Sequence, residues 1–258
     1  MSDPTNTKIR FDVPQLLARS VLYQALALLF RHPSAHPKEA LAQDVLGQWR
    51  EAAGVLSPGE TSRLVETLSA LINQLEHITP SEWIYDYERA FGHSAHGACP
   101  PYELEYGDEH SHRQPQELGD IAAFYEAFGL GLSGRGHERV DHASVECEFM
   151  HYLIFKEAYA LREGTEEQAI ICAAAAWGFL ADHPGRWLPA FAHRLAKHTA
   201  QGLIKAHADF AFEFIVQDCE MLGLPAGPRD LPIRMMTQRE EEGCTSCSLK
   251  SLWGKGDT

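Results

Sequence analysis

Four groups of residues in this sequence have types and spacings that could do chemistry. The first heads the stretch ERVDHASVECEFMHYL, Glu138 to Leu153, where an Asp–His pair precedes a run with the periodicity of a buried helix. Asp141 suits the N-cap position, because its carboxylate can accept bonds from first-turn N–H groups and matches the positive end of the helix dipole. His142 then falls in the first turn, where the dipole opposes its charge while Asp141 and Glu146 favour it. Capping of a core helix accounts for the pair without any binding role. The second group is a single Glu-x-x-His, Glu148 to His151. A carboxylate-bridged di-metal bundle needs two such motifs and two further carboxylates on facing helices, so core packing with a polar edge is the better reading. In the third, His93, His96 and Cys99 lie three apart, with His110 and His112 shortly after. Imidazole and thiolate can hold zinc, but the spacing is loose and solvated loop histidines are the plain alternative. The fourth, Cys244 and Cys247, is a CxxC that supplies half of a tetrahedral zinc site and lacks the βαβ context of a redox pair. No metal site and no cofactor are assigned. Cys244, Cys247, His93 and His96 are the candidates should a metal be bound.

Other chemistries leave no trace. There is no GxGxxG after a strand, no GxxxxGK phosphate loop and no GxSxG, and nothing assembles a nucleophile, a base and an orienting group. A formal net charge of −14 without a basic stripe argues against a nucleic-acid partner and favours cationic ligands or peptides. No apolar run reads as long enough to cross a bilayer, and the N-terminus lacks the basic-then-apolar layout of a secretory signal, so a cytoplasmic location is expected. Six scattered cysteines are no disulfide framework. Cys147, Cys172 and Cys219 read as small buried hydrophobes in a reducing compartment.

The elements that must position these residues are helical almost throughout. Asp12 can cap a first helix whose apolar side carries Leu16, Leu22, Leu26 and Phe30. A second is expected from about Pro37 to Ala53. Ser57–Glu60 (SPGE) and Thr79–Glu82 (TPSE) are capping-box patterns opening a third and a fourth. Residues 92–114 lose periodicity and form a long loop, of the kind that is more often functional than a short one. Helices resume at 114–130, from the Asp141 cap to about Arg162, from Thr165 to about 181, and over 187–200 and 202–223. His183–Trp187 (HPGRW) makes a turn, with Trp187 anchoring the next helix. No β-alternation of useful length appears. The expected fold is all-α: one globular multi-helix domain over 1–224 and a loosely held tail over 225–258 that carries the CxxC.

Several segments in order then resemble one family. They are YQALALLF (23–30), YERAFG (87–92), PPYELEY (100–106), QELGDIAAFYEAFGL (116–130), ERVDHASVECEFMHYL and HPGRWLPAF (183–191). Together, over roughly residues 12–223, the chain resembles the TorD/DmsD/NarJ family of redox-enzyme maturation chaperones. Leu104 and Glu105, and the histidines around the segment, depart from what many relatives carry there.

The resemblance implies a cytoplasmic, TorD-like, non-enzymatic chaperone. Its partner would be the catalytic subunit of a molybdenum-cofactor oxidoreductase, bound by its twin-arginine leader or as the apo form and held until cofactor insertion and before export. It also implies a leader-binding region at Asp141 and His142, with Pro101, Tyr102 and Phe91 nearby. Carboxylates such as Asp141, Glu103 and Glu105 suit the leader's guanidinium groups, and the faces of Tyr102, Tyr106 and Phe91 suit stacking or its apolar stretch. A monomer and a dimer are both compatible, the latter through an exchange at 129–138. The alternative is a zinc- or iron-binding helical protein that uses the loop histidines and the CxxC.

Overall fold

The computed structural model describes residues 11–35, 41–59, 62–92, 97–107, 114–131 and 138–234. Among them lie nine α-helices and no strand longer than an isolated bridge: α1 (Val13–Phe30), α2 (Gln43–Leu56), α3 (Arg63–His77), α4 (Pro80–Phe91), α5 (Gln114–Ala127), α6 (Ala143–Arg162), α7 (Glu166–Asp182), α8 (Pro184–His198) and α9 (Leu203–Leu222). The all-α architecture expected from periodicity is the one observed.

Local chemistry sets most helix starts. Asp12 accepts the Gln15 N–H at 2.9 Å while the Gln15 side chain accepts the Asp12 N–H at 3.1 Å, a capping box with Pro14 in the first turn. Thr79 and Glu82 form the second box, with Pro80 opening α4. Ser57 closes α2 rather than opening the next helix, and Glu60, the other half of the expected box, lies outside the described residues. Leu56 still faces the core, so α2 runs on to it, and the Ser57 hydroxyl bonds to Gln217 of α9 at 3.1 Å. The cap of α3 is Ser62 instead. The turn expected across HPGRW is one residue long. His183 alone separates α7 from α8, and Pro184 and Gly185 lie inside the first turn of α8, where proline's missing N–H costs nothing. Gly185 is forced by close packing, since a Cβ there would sit 2.5 Å from the Leu180 carbonyl oxygen.

The core is built on α1 lying along α6, with α2 beside α1, α7 beside α6, and α9 packed against α8 and α3. By length and composition α1 could cross a membrane, which the sequence reading did not allow. Here it is a core helix, with Leu16, Leu22, Leu26, Leu29 and Phe30 buried. One polar network crosses this core. Arg19 forks onto Asp218 of α9 (Nε–Oδ1 2.6 Å, Nη2–Oδ2 3.0 Å), and the Tyr23 hydroxyl donates to the same carboxylate at 2.8 Å. The described cysteines, Cys99, Cys147, Cys172 and Cys219, are all buried and unbridged.

The network fixes α1 against α9 at the cost of burying two charges. Truncating one partner strands the other, so Asp218→Ala is expected to lower stability by about 3–5 kcal/mol, and Arg19→Met with Asp218→Leu to recover most of it. Denaturant melts of the single and double variants measure both. Close by on α6, burial pushes the Glu157 carboxyl up to about 7 against the pull of Arg19. The folded state then holds a proton the unfolded state has lost, so Glu157 costs stability as pH rises from about 4.5 to 7. Glu157→Gln is expected to melt higher than the parent at pH 8 and nearly with it at pH 5.

Candidate functional site

The candidate site forms where the 97–107 loop crosses the start of α6. Pro100 and Pro101 hold the backbone extended, and the segment pairs with the chain on both edges. On one edge Tyr102 bridges His142, with Glu103 N–H donating to Asp141 O and Ala143 N–H to Pro101 O, both at 2.9 Å. On the other edge Tyr106 bridges Ile233, with Gly107 N–H donating to Pro232 O at 2.9 Å and Arg234 N–H to Glu105 O at 2.8 Å. A 3-10 turn, Glu103–Glu105, lies between.

Asp141 is not the N-cap of α6. His142 is, its Nδ1 accepting the Ser144 N–H at 3.1 Å. That bond places the ring proton on Nε2, which faces Glu138 at 3.7 Å. Burial, and after it the charges of Arg31 and Arg139, push the imidazole down to about 3, so His142 is neutral. Asp141 turns inward and is fully buried. Its oxygens accept Arg139 Nε at 2.9 Å and Nη2 at 2.6 Å, and Oδ2 also accepts the Leu104 N–H at 3.1 Å. The same guanidinium reaches Glu105 through Nη1 at 2.9 Å and lies 4.5 Å over the Tyr102 ring. Burial opposes the charge of Arg139, but the two carboxylates outweigh it and raise its pKa. Two of the three carboxylates expected to receive a partner's guanidinium, Asp141 and Glu105, are thus already bridged by the chain's own.

Seven of the expected site residues (Asp141, His142, Pro101, Tyr102, Glu103, Glu105 and Tyr106) gather around this segment. Phe91 lies behind it, in the core. Its ring packs at a tilt against Tyr87, with centroids 4.5 Å apart, and against Phe191 at 6.2 Å, and the Phe191 ring in turn lies 6.1 Å from that of Tyr106. Glu148 and His151 have structural roles: Glu148 binds Arg31 at 2.6 Å and His151 bonds to Ser20 of α1. Cys99 is buried and its thiol is pushed up to about 11 by burial. His93, His96, His110, His112, Cys244 and Cys247 lie outside the described residues, as does most of the 129–138 connection. Among the described residues no group of three His, Cys, Asp or Glu side chains is placed to hold a metal ion.

Beside the segment opens a cleft of about 790 Å³ between the 103–107 turn, α5, the α7–α8 junction and the chain at 225–234. Glu103 and Tyr106 reach it from the expected set. Glu117, Asp120, Asp182, Ile121, Trp187 and Arg234 were not anticipated as site residues. Three acids scattered over two helices carry no shared spacing by which to find them. Beneath the wall, Glu146 of α6 is fully buried. It accepts Trp187 Nε1–H at 2.9 Å, and its Oε1 has no donor. Burial first and the neighbouring Glu103 second push its pKa well up, so it is a neutral acid. Glu103 is held by His183 Nδ1 at 3.0 Å. The cleft therefore combines a charged, solvent-facing rim, where Asp120 and Asp182 stand exposed with Arg186, with aromatic and aliphatic walls. That suits an extended peptide carrying cationic and apolar side chains.

A family model described as nitrate reductase delta subunit matches residues 57–193. The chain is 28% identical over 207 residues to the perchlorate reductase assembly chaperone protein of Dechloromonas aromatica, covering 79% of this chain and 89% of that one. It is 27% identical over 161 residues to the chaperone protein TorD of Vibrio cholerae serotype O1 (62% and 70% covered). Over 78 residues it is 37% identical to the selenate reductase assembly chaperone protein of Thauera selenatis (30% and 39% covered).

Because Asp141 holds the segment together from a fully buried position, Asp141→Ala is expected to cost about 3–5 kcal/mol through the unsatisfied Leu104 N–H and the loss of one of the two carboxylates paired with Arg139. His142→Ala strands no charge; it removes a side-chain cap and a buried ring packed on Tyr102, and is expected to cost about 2 kcal/mol. Urea melts of the two variants, run before any binding assay, read this difference directly.

Proposed function

The chain belongs to the nitrate reductase delta-subunit family, the TorD/NarJ group of molybdoenzyme chaperones, and on that footing we propose that it is a cytoplasmic assembly chaperone for the catalytic subunit of a molybdenum-cofactor reductase. Its work is binding rather than catalysis. The proposed ligand is the client's N-terminal twin-arginine leader, held until the cofactor is inserted and before export. The observation that carries this reading is the cleft beside residues 103–107. Asp120 and Asp182 stand exposed on its rim, and Ile121, Trp187 and Leu231 line its interior. Guanidinium groups pair with carboxylates in a forked geometry, and an apolar leader stretch gains by leaving water against such walls. The buried Asp141–His142 pair acts here by shaping the segment that forms one wall.

The test is calorimetric titration of the full chain with synthetic leaders from several molybdenum reductases and a twin-lysine control. Binding of one leader at micromolar Kd or tighter, about −8 kcal/mol, is expected. Reversing the rim with Asp120→Lys and Asp182→Lys is expected to weaken it at least about tenfold, with the melt unchanged, because both side chains are exposed. Equal affinity for the parent and the reversed rim would place the leader elsewhere.

A further inference from the structure

The outer wall of the cleft is the chain's own segment 225–234. It is held through complementary oddities in the sequence. Pro189 lies inside α8 and has no N–H to donate to the carbonyl of Gly185 one turn earlier. That carbonyl accepts the Gly227 N–H instead, at 2.8 Å. The approach is so close that a Cβ on Gly227 would lie 2.0 Å from the Arg186 carbonyl oxygen, so only glycine fits. Beyond this anchor the segment lies along the outside of the core, with Ala226, Leu231 and Ile233 packed against it, Arg229 5.0 Å over the Phe212 ring and Lys197 meeting Asp230 at 3.5 Å. None of residues 225–234 is buried. Arg194 Nη2 donates to Leu231 O at 2.9 Å, and two backbone bonds join 231–234 to Glu105 and Gly107.

The end of the segment does what an extended, arginine-bearing peptide would do. Ile233 adds as an antiparallel bridge to Tyr106, and the backbone bonds it brings do not depend on side-chain identity. The Arg234 side chain, 5% exposed, donates Nε to Tyr106 O at 3.2 Å and pairs Nη1 with Glu117 Oε2 at 3.0 Å. A guanidinium is therefore already seated in the cleft by a segment that adds to its backbone edge.

We propose that the backbone edge of Glu105–Gly107 and the Glu117 carboxylate form a guanidinium subsite shared by the client peptide and by the chain's own residues 231–234, which the client displaces. This rests on the client-binding reading above and adds to it. Glu117 becomes a specificity residue, and Gly227 the hinge about which the strap opens. With the strap seated nine-tenths of the time, the apparent affinity for client is about tenfold below that of the open site.

The test uses the full chain, with Arg234→Gln to remove the resident guanidinium and Gly227→Ala to break the anchor without touching any acid or arginine of the cleft. Amide hydrogen exchange is read at Arg234 and Gly107, together with the global melt. Both variants are expected to exchange faster at these two amides with an unchanged melting midpoint, and to bind the leader up to about tenfold more tightly. Saturating leader on the parent chain is expected to release the Arg234 amide while that of Gly107 stays protected. A lowered global midpoint in both variants would make the strap a structural wall and overturn the proposal. So would leader binding that leaves the Arg234 amide protected and the variants' affinities unchanged; the chaperone reading would then stand without it. If no leader binds, a synthetic peptide of residues 228–236 is titrated into the Gly227→Ala chain. Binding lost when its arginine becomes glutamine keeps the subsite and removes the leader as its ligand. Absence of binding overturns the subsite.

Discussion

A carboxylate with no access to water organises this face of the protein. Asp141 leaves the helix terminus it could have capped and turns inward, where three donors meet it: two from the Arg139 guanidinium and the N–H of Leu104. Burying such a charge is tolerable only when it is fully paired, and the pairing sets the local architecture. Arg139 must fold back two residues and lie over Tyr102. The Leu104 N–H brings the 103–105 turn against the start of α6. His142 then takes the cap position that Asp141 vacates. Once 101–107 is fixed on this edge, its opposite edge is presented to 231–234, and the cleft has its wall.

The same pairing changes where charge is available. The chain carries a formal charge of −14, yet around the segment much of the acidity is neutralised internally. Asp141 and Glu105 share Arg139, Glu117 pairs with Arg234, Glu103 is bonded to His183, and Glu146 is held neutral by burial beside Glu103. Exposed acidity is left to the rim, at Asp120 and Asp182. Rim charges steer and select at little desolvation cost, whereas buried ones would have to be paired anew by each ligand. In the proposed role, electrostatic attraction thus begins at the rim, and the interior discriminates by shape and by apolar contact.

Local information made most of the helical frame legible in the sequence. The cap expected at Asp12 and the box expected at Thr79 need only residues three apart, and both form. Ser57 heads a similar pattern, yet it ends α2 instead and its hydroxyl bonds to Gln217, 160 residues away. Asp141 fails as a cap for the same kind of reason. Its partners include Leu104 N–H, 37 residues distant, and no window around 141 contains that donor. The segment 100–106 was recognisable as a unit, and the structure does gather the named residues around it. What they face was not legible. The roles of Arg139, Glu117 and Arg234 depend on the crossing of three stretches that approach each other only in the fold.

Proline and glycine at the α7–α8 junction show how a feature that is neutral in one reading becomes decisive in another. By sequence HPGRW is a turn, and Pro189 inside the following helix is a defect that removes one backbone bond. In the fold, Pro184 opens the helix and Gly185 lets it approach the Leu180 carbonyl. The bond lost at Pro189 frees the Gly185 carbonyl to hold Gly227. A helix without that proline would satisfy its own carbonyl and leave the chain at 225–234 without its anchor. The unpaired acceptor is therefore the physical reason that the chain beyond α9 returns to the cleft, and with it Arg234 reaches a carboxylate 117 residues earlier in the chain.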